Sequence, residues 1–329
     1  MIAGHFFWIA VTTLVLTGVM VGWLRPRLLA VNMVDLPDER RQHVQPTPRG
    51  AGLGMALAVA LMLLGLWLVG SFPMSWVASV WLLVVGVSAV GGIEDHWGLS
   101  VAVRLLGQFA LALLALAVVG LALTESLIWL LCLALVWSMN LHNFMDGSDG
   151  LTGLQGVWVG LGVALWFVGQ GDGWGASVGM VLAGACGGLL LWNWPPAKVF
   201  MGDSGSLMIG AMVAWLLIWG HVNDSLPWWL AALWVSVFVV DTTATLLLRL
   251  LRGARWYTAH HDHAYQRLIA MGATHSQVLM GFVAINLVLI MPVALCIWAQ
   301  QVGPELAVSA VYALLLLTWS GVQYQAQRK

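Results

Sequence analysis

Residues 52–70 read GLGMALAVALMLLGLWLVG, a run without a charged side chain. A helix needs about 20 mainly apolar residues to cross a bilayer, and runs of this kind recur along the whole chain. Hydrophobic residues make up 61% of the 329 positions and charged residues only 8%, whereas roughly a quarter of residues are charged in soluble domains. The composition excludes a water-soluble fold and predicts an all-α integral membrane protein.

The sequence predicts eleven transmembrane helices within one polytopic domain, residues 1–329. The fifth span is the shortest. The predicted spans cover residues 4–24, 52–70, 75–93, 103–123, 126–141, 152–169, 174–192, 205–221, 227–248, 277–299 and 305–322.

The basic residues are predicted to lie on one side of the membrane. Arg25 and Arg27 follow the first span, and no basic residue precedes it, so we expect this span to be retained with the N-terminus outside. Threading the chain from there places all 13 Lys and Arg residues and the C-terminus in the cytoplasm. The opposite side then carries only acidic charges, namely Glu125, Asp172, Asp224 and Glu305.

Five polar segments on the predicted cytoplasmic side carry the candidate functional residues. They are residues 35–52 with Arg49, residues 94–96 with Glu94 and Asp95, residues 140–151 with Asn140, Asn143, Asp146 and Asp149, residues 193–206 with Lys198, Phe200 and Asp203, and residues 260–267 with His260, His263, Tyr265 and Gln266.

Each segment has a plain structural interpretation beside a functional one. The glycines after Arg49 either let backbone N–H groups approach a phosphate or mark a turn. The aspartates that precede spans six and eight are typical helix caps. A calcium EF-hand is a poor match, because its twelfth position would be Val157 or Gly160 instead of Glu.

The clustered histidines of residues 260–263 would generically suggest zinc. The other candidates are carboxylates and amides, which favour magnesium; histidine and arginine then serve better as donors to phosphate oxygens. Asp241 lies inside an apolar span, where a carboxylate is costly and points to function by default. It is therefore a further candidate, and a broken or tilted span nine would also bring it close to the cytoplasmic site; its alternative role is a hydrogen bond between helices.

Carboxylates, glycine-rich loops and basic side chains on one face are what magnesium-assisted phosphoryl transfer requires. Two other classes compete with a transferase. A multi-span transporter of a phosphorylated or sugar substrate would place several polar residues near the membrane midplane, whereas here Asp241 is the one charged residue well inside a span. A membrane scaffold would use the acidic loops for partners.

The motifs NFMDGSDG (143–150) and VFMGDSGS (199–206), together with AHHDHAYQ (259–266), resemble the polyprenyl-phosphate N-acetylhexosamine-1-phosphate transferase family, glycosyltransferase family 4. The resemblance covers nearly the whole chain and is greatest to the branch that initiates O-antigen synthesis for lipopolysaccharide. It implies transfer of an N-acetylhexosamine phosphate from a UDP-sugar to undecaprenyl phosphate with release of UMP, at the cytoplasmic face of the bacterial inner membrane. It implies no nucleic acid, and it leaves a homodimer and the identity of the sugar open.

The resemblance also implies roles for individual residues. Asp203 would be the main ligand of Mg²⁺, or of Mn²⁺ in its place, with Asp146 as a second ligand. Catalytic roles would fall to Glu94, Asp95, Asp146, Asp149, His260 and His263. Substrate binding would fall to Arg49, Asn140, Asn143, Lys198, Phe200, Tyr265 and Gln266.

One position departs from the family pattern. The family usually has two adjacent aspartates where this chain has Glu94 and Asp95. The Glu94 carboxylate therefore reaches one methylene further than that of the usual aspartate. The role often given to this pair is to deprotonate the lipid phosphate or to hold it near the metal. A phosphate monoester has a second pKa near 6 and is largely dianionic at neutral pH. We therefore expect direct attack by the lipid phosphate without a covalent enzyme intermediate.

Overall fold

The computed structural model describes residues 2–35, 47–70, 72–121, 126–254 and 260–328. Arg40, Arg41, Glu125, Arg255 and Lys329, which entered the charge prediction, lie outside these residues. The helices are α1 (Ile2–Ala30), α2 (Gly52–Val69), α3 (Met74–Trp97), α4 (Val101–Val118), α5 (Ser126–Phe144), α6 (Leu151–Gln170), α7 (Gly173–Asn193), α8 (Gly202–Val222), α9 (Trp228–Leu251), α10 (Ala264–Ala270), α11 (His275–Ile285), α12 (Met291–Trp298) and α13 (Pro304–Ala326).

The predicted all-α membrane fold with eleven spans is confirmed. Eleven helices in the described part of the chain are long and apolar enough to cross a membrane. A π-helical turn, Asn286–Ile290, joins α11 and α12, and the two form one span, His275–Trp298. The short helix α10 is the one α-helix of the described residues that belongs to no span.

The predicted boundary of the first span was too short. We placed it at residue 24, before the first arginine, but α1 continues to Ala30. The Arg27 guanidinium lies 3.7 Å from the Trp23 ring centroid and donates a hydrogen bond of 2.6 Å to the Trp23 carbonyl. The Arg27 side chain thus packs on its own helix, and the helix continues past the charge.

Helices α7 and α8 form the centre of the bundle. In each, 83% of the span is buried inside the protein, compared with 17% for α13. Helix α7 packs on α1 and α6, and α8 packs on α3 and α5. A Cβ atom at Gly184 or Gly188 would collide with the α1 backbone, and small residues that allow such close approach are typical of membrane helix interfaces.

Two glycines bring the start of α8 against α2 and α3. A Cβ atom at Gly52 would collide with the backbone of Gly205, and one at Gly91 with the backbone of Asp203. Two short antiparallel strands, β1 (Val34–Asp35) and β2 (Thr47–Pro48), precede α2. The N-terminal end of α8 is therefore enclosed by the end of α3, the start of α2 and the strand segment before it.

We expect Gly52→Ala to destabilise the fold, because the new methyl group cannot be accommodated without separating α2 from α8. Overpacking of this kind costs typically about 1–3 kcal/mol. Thermal unfolding in detergent should show a lower midpoint. Gly65→Ala, in the same helix, is the matched control, since nothing lies within 4 Å of a Cβ atom there and alanine is the better helix former. Equal midpoints for both variants would contradict this packing.

Candidate active site

The carboxylate of Asp95, at the end of α3, caps α8. Its Oδ1 atom accepts a hydrogen bond of 2.9 Å from the backbone N–H of Asp203, and its Oδ2 atom accepts one of 3.1 Å from Ser204. Gly202 has a φ of 72°, and a Cβ atom there would collide with the Asp95 carboxylate. The side chain of Asp95 is fully buried, so this carboxylate is committed to holding the start of α8.

Arg49 joins the two aspartates. Its Nε atom lies 2.9 Å from Asp95 Oδ1, and its Nη2 atom lies 2.6 Å from Asp203 Oδ1. Burial lowers the pKa of Arg49, but the charges of Asp95, Asp203 and Asp146 outweigh that effect and raise it. Arg49 is therefore a fixed cation among three carboxylates, whereas the sequence analysis assigned it to phosphate binding.

The backbone around Arg49 is paired with the segment before α8. The Phe200 N–H donates to the Pro48 carbonyl at 2.8 Å, and the N–H groups of Gly50 and Ala51 both donate to the Phe200 carbonyl at 3.1 Å. Gly52 donates to Met201 at 2.9 Å. Because these N–H groups are already bonded, the glycine-rich entry to α2 serves as a turn and a packing contact. The interpretation as a phosphate-binding loop is not supported.

Arg104, near the start of α4, is a site residue that the sequence analysis missed. Its Nη1 atom lies 3.4 Å from Asp203 Oδ2 and 3.5 Å from Glu94 Oε1. Glu94 Oε2 also accepts a hydrogen bond of 2.5 Å from the Leu99 N–H. The extra methylene of Glu94 thus lets one carboxylate reach both the α3–α4 turn and Arg104. The sequence signal that could have identified Arg104 is its position at the beginning of a predicted span.

Asp146 and Asp149 lie in the turn between α5 and α6 and have different partners. Asp149 Oδ2 accepts a hydrogen bond of 2.9 Å from the Ala197 N–H, which holds the segment leading to α8. No described residue donates a hydrogen bond to the Asp146 carboxylate in this structure. Burial and the charges of Asp203 and Asp95 raise the pKa of Asp146 well above its usual range, although Arg49 opposes the shift.

His275, at the start of α11, supports this turn and was also missed. Its Nδ1 atom accepts a hydrogen bond of 3.2 Å from the Asp149 N–H and lies 3.0 Å from Ser148 Oγ. Asn193 holds the other side, because its Oδ1 atom accepts from the Gly150 N–H at 2.9 Å and its Nδ2 atom donates to the Val199 carbonyl at 2.9 Å. Asn193 thus links the motif of residues 143–150 to the motif of residues 199–206.

Asp241 contacts the histidine loop from α9, which is unbroken. Its Oδ1 atom lies 3.7 Å from His263 Nδ1, so Asp241 lies close to the candidate site although the helix does not break. The Asp241 carboxylate accepts hydrogen bonds from the N–H groups of Ala264 at 2.7 Å and Tyr265 at 3.3 Å. Asp241 therefore caps α10, which is close to its alternative role of a hydrogen bond between helices.

Tyr265 connects the histidine loop to the Asp146 turn. Its hydroxyl donates to the Phe144 carbonyl at 2.9 Å and accepts from the Gly147 N–H at 3.1 Å. Only 4% of Tyr265 is exposed, and burial raises the pKa of its hydroxyl. The predicted substrate-binding residue Tyr265 is thus enclosed and bonded to backbone, and its contribution is to place the histidines.

His260 and His263 form a tilted ring pair beside this turn. Their ring centroids are 5.0 Å apart, and the His263 ring stacks on Phe144 at 6.0 Å. Burial, His263 and the charge of Arg249 lower the pKa of His260 to about 4, so this ring is neutral at neutral pH. Gln266 Oε1 accepts from the His263 N–H at 3.3 Å and fixes the first turn of α10.

The remaining predicted residues divide into two groups. Asn143 donates to Ser206 Oγ at 3.1 Å, and Phe200 pairs with Arg49 through its backbone, so both border the carboxylates. Asn140 is buried and donates to Gln108 Oε1 at 2.6 Å, which makes it a contact between α5 and α4. Lys198 is exposed, and the structure gives its ammonium group no partner among the described residues.

Asp146 and Asp203 supply the type of ligand atom that a magnesium ion would need. Mg²⁺ prefers oxygen ligands and commonly binds through one or two carboxylates while it keeps several waters. No cluster of three or more His, Cys, Asp or Glu side chains converges as a complete cage within the described residues. The Asp146 carboxylate, crowded by negative charges and lacking a donor, is the group that a cation would satisfy best.

Comparison with known proteins agrees with this arrangement. The family model described as glycosyl transferase family 4 matches residues 77–221. The chain is 31% identical to the decaprenyl-phosphate N-acetylglucosaminephosphotransferase of Mycobacterium leprae, over 82% of this chain and 77% of that protein. It is also 31% identical to the phospho-N-acetylmuramoyl-pentapeptide-transferase of Moorella thermoacetica, over 72% of this chain and 80% of that protein.

A third relative is the undecaprenyl-phosphate alpha-N-acetylglucosaminyl 1-phosphate transferase of Salmonella typhi, 27% identical over 82% of this chain and 77% of that protein. The three relatives differ in the polyprenyl carrier or in the sugar that their names give, but all transfer a phospho-sugar. With the eleven spans and the joined aspartate motifs, this likeness shows that the chain belongs to glycosyl transferase family 4, the polyprenyl-phosphate hexosamine-1-phosphate transferases.

Proposed function

We propose that this protein transfers an N-acetylhexosamine-1-phosphate from a UDP-sugar to undecaprenyl phosphate, releasing UMP and initiating O-antigen or related envelope polysaccharide synthesis. The observation that carries the proposal is the convergence of Arg49, Asp95, Asp146 and Asp203, from four separate segments, at one end of the bundle. The AHHDHAYQ motif favours the O-antigen branch. The mycobacterial relatives leave other envelope polymers as alternatives.

We place this end of the bundle at the cytoplasmic face of the inner membrane. The described basic residues gather there, among them Arg25, Arg27, Arg49 and Arg104, whereas Asp172, Asp224 and Glu305 mark the opposite helix ends. An excess of Lys and Arg in cytoplasmic loops is the usual signal of orientation. A cytoplasmic site also has access to a nucleotide sugar.

Asp203 and Asp146 would hold Mg²⁺. When bound, the ion supplies charge neutralisation for a diphosphate and for the charge that develops during phosphoryl transfer. Arg49 and Arg104 bracket Asp203 and fix the direction of its carboxylate. Asp149 holds the backbone at Ala197, which positions the segment that carries Phe200 toward the nucleotide.

The lipid phosphate itself would be the nucleophile. One of its oxygens forms a bond to the sugar-bearing phosphorus, the bond from that phosphorus to the bridging oxygen breaks, and UMP leaves with that oxygen. A second pKa near 6 means that the attacking oxygen carries no proton at neutral pH. The capping contacts of Asp95 therefore favour a positioning role over that of a general base.

Asp203→Asn should reduce UMP release by about 100-fold or more, because changes even around metal ligands cost about 10–100-fold. The assay supplies purified protein with undecaprenyl phosphate, Mg²⁺ and a panel of UDP-sugars. Binding of Mn²⁺, followed by electron paramagnetic resonance, should weaken in parallel. Asp224→Asn is the matched control, since Asp224 is exposed at the opposite end with a φ of 51°, which asparagine tolerates. Undiminished turnover in Asp203→Asn would remove Asp203 from the reaction centre.

Asp95→Asn should lower both the unfolding midpoint and the turnover number. The amide cannot accept both N–H groups of the α8 cap, and loss of a cap costs typically about 1 kcal/mol. The pH dependence of the remaining activity should be unchanged. A general base would behave differently: its loss would spare the unfolding midpoint and abolish the acidic limb of the pH profile.

Direct attack predicts that no sugar phosphate becomes attached to the protein. Incubation with Mg²⁺ and a UDP-sugar labelled in the sugar, without undecaprenyl phosphate, should leave the protein unlabelled and release no burst of UMP. Labelled protein together with stoichiometric UMP would instead establish a covalent enzyme intermediate.

A further inference from the structure

A small basic pocket lies between the ends of α9 and α13 and the histidine loop, apart from the carboxylates of the proposed reaction centre. Its volume is about 160 Å³, and its charged lining consists of Arg249, Arg252, Arg267 and Asp262. A water molecule takes roughly 30 Å³ in the liquid, so the pocket has room for a group the size of phosphate.

Asp262 acts as an internal counter-ion in this pocket. Its Oδ1 atom lies 2.6 Å from Arg267 Nη2, and its Oδ2 atom pairs with Arg249 Nη1. Burial tends to raise the pKa of Asp262, but the Arg249 hydrogen bond and the charge of Arg267 outweigh it and lower the pKa. Asp262 is therefore ionised, and three arginines against one carboxylate leave two positive charges in the pocket.

Arg252 is the arginine that this carboxylate does not neutralise. It follows α9 directly, its side chain is exposed, and it pairs with no carboxylate among the described residues. Arg249 and Arg267 are oriented by Asp262 toward the same space. The pocket is thus a preorganised group of guanidinium donors with one member still unmatched, which is a suitable arrangement for a phosphate group.

The pocket lies where two membrane spans end. Leu248 and Arg249 belong to the last turn of α9, and Gln323 belongs to the end of α13. Leu250 and Leu251 beside it are 58% and 84% exposed, as expected for side chains that face lipid. Lipid phosphates occupy this depth, and arginines near an anionic leaflet are attracted to them.

We propose that this pocket binds a phosphate group at the membrane surface, with an anionic phospholipid headgroup as a nearer source than free phosphate. The bound group would bridge Arg252 to Arg249 and Arg267. Asp262 directly precedes His263, and its carbonyl accepts a hydrogen bond of 2.7 Å from Gln323 Nε2. An occupied pocket would therefore hold the histidine loop against α9 and α13.

The test compares four proteins in nanodiscs: wild type, R252Q, R252K and R328Q. Arg328 is the matched control, because it is an exposed arginine at the same end of α13 that stacks on Tyr324 at 4.3 Å and does not line the pocket. In one arm, nanodiscs contain phosphatidylcholine with or without phosphatidylglycerol, and native mass spectrometry counts the retained anionic lipid. In the other arm, inorganic phosphate is titrated into phosphatidylcholine nanodiscs while thermal unfolding is followed.

We expect R252Q to retain phosphatidylglycerol about tenfold more weakly than wild type, as loss of one close guanidinium contact would produce, while R328Q retains it normally. R252K should recover most of the binding. If phosphate stabilises wild type and R328Q but not R252Q, with equal lipid retention, the site is supported and its source is free phosphate. Equal responses of wild type, R252Q and R328Q in both arms would overturn the proposal, since the attraction would then be the general charge of this face.

Discussion

The carboxylate of Asp95 is the contact on which the site depends. It accepts the N–H groups of Asp203 and Ser204 and pairs with Arg49, so one fully buried side chain sets the direction of α8, the place of the arginine and the distance between them. A negative charge at a helix N-terminus is favourable in itself. The contact requires the close backbone approach that Gly91 and Gly202 allow. The geometry of the site therefore depends directly on the packing of the bundle.

Charges at the edge of a membrane protein must be matched, since the surroundings stabilise them poorly. Asp203 is matched by Arg49 and Arg104, and the Asp149 carboxylate accepts a hydrogen bond from the Ala197 N–H. Asp146 differs, because the described structure offers its carboxylate no donor. Asp146 is therefore the member of this carboxylate group at which the proposed cation would add the missing counter-charge. The need to match charges in poorly stabilising surroundings also explains why Arg49 and Arg104 contact the aspartates directly.

The sequence predicted the spans and the chemical type of the site, but not the pairing of its residues. Apolar runs determine the helices because the bilayer leaves little choice, and the aspartates before spans six and eight were recognisable. The partner of each aspartate is a tertiary property: the Asp95 cap on α8 joins residues more than 100 positions apart. Arg104 and His275 were missed for the same reason, since each lies at an ordinary helix start and gains its role only from the neighbouring loop.

The contacts of Asp241 differ from those expected of a transport site. A carboxylate inside a span was the sequence feature closest to a transport site, yet its oxygens accept the N–H groups of Ala264 and Tyr265. Tyr265 in turn holds the backbone at Phe144 and Gly147. The buried acid therefore anchors the histidine loop to the Asp146 turn, and a chain of hydrogen bonds runs from α9 to the backbone of that turn. A residue that is costly inside a membrane here fixes two loops of the candidate site relative to each other.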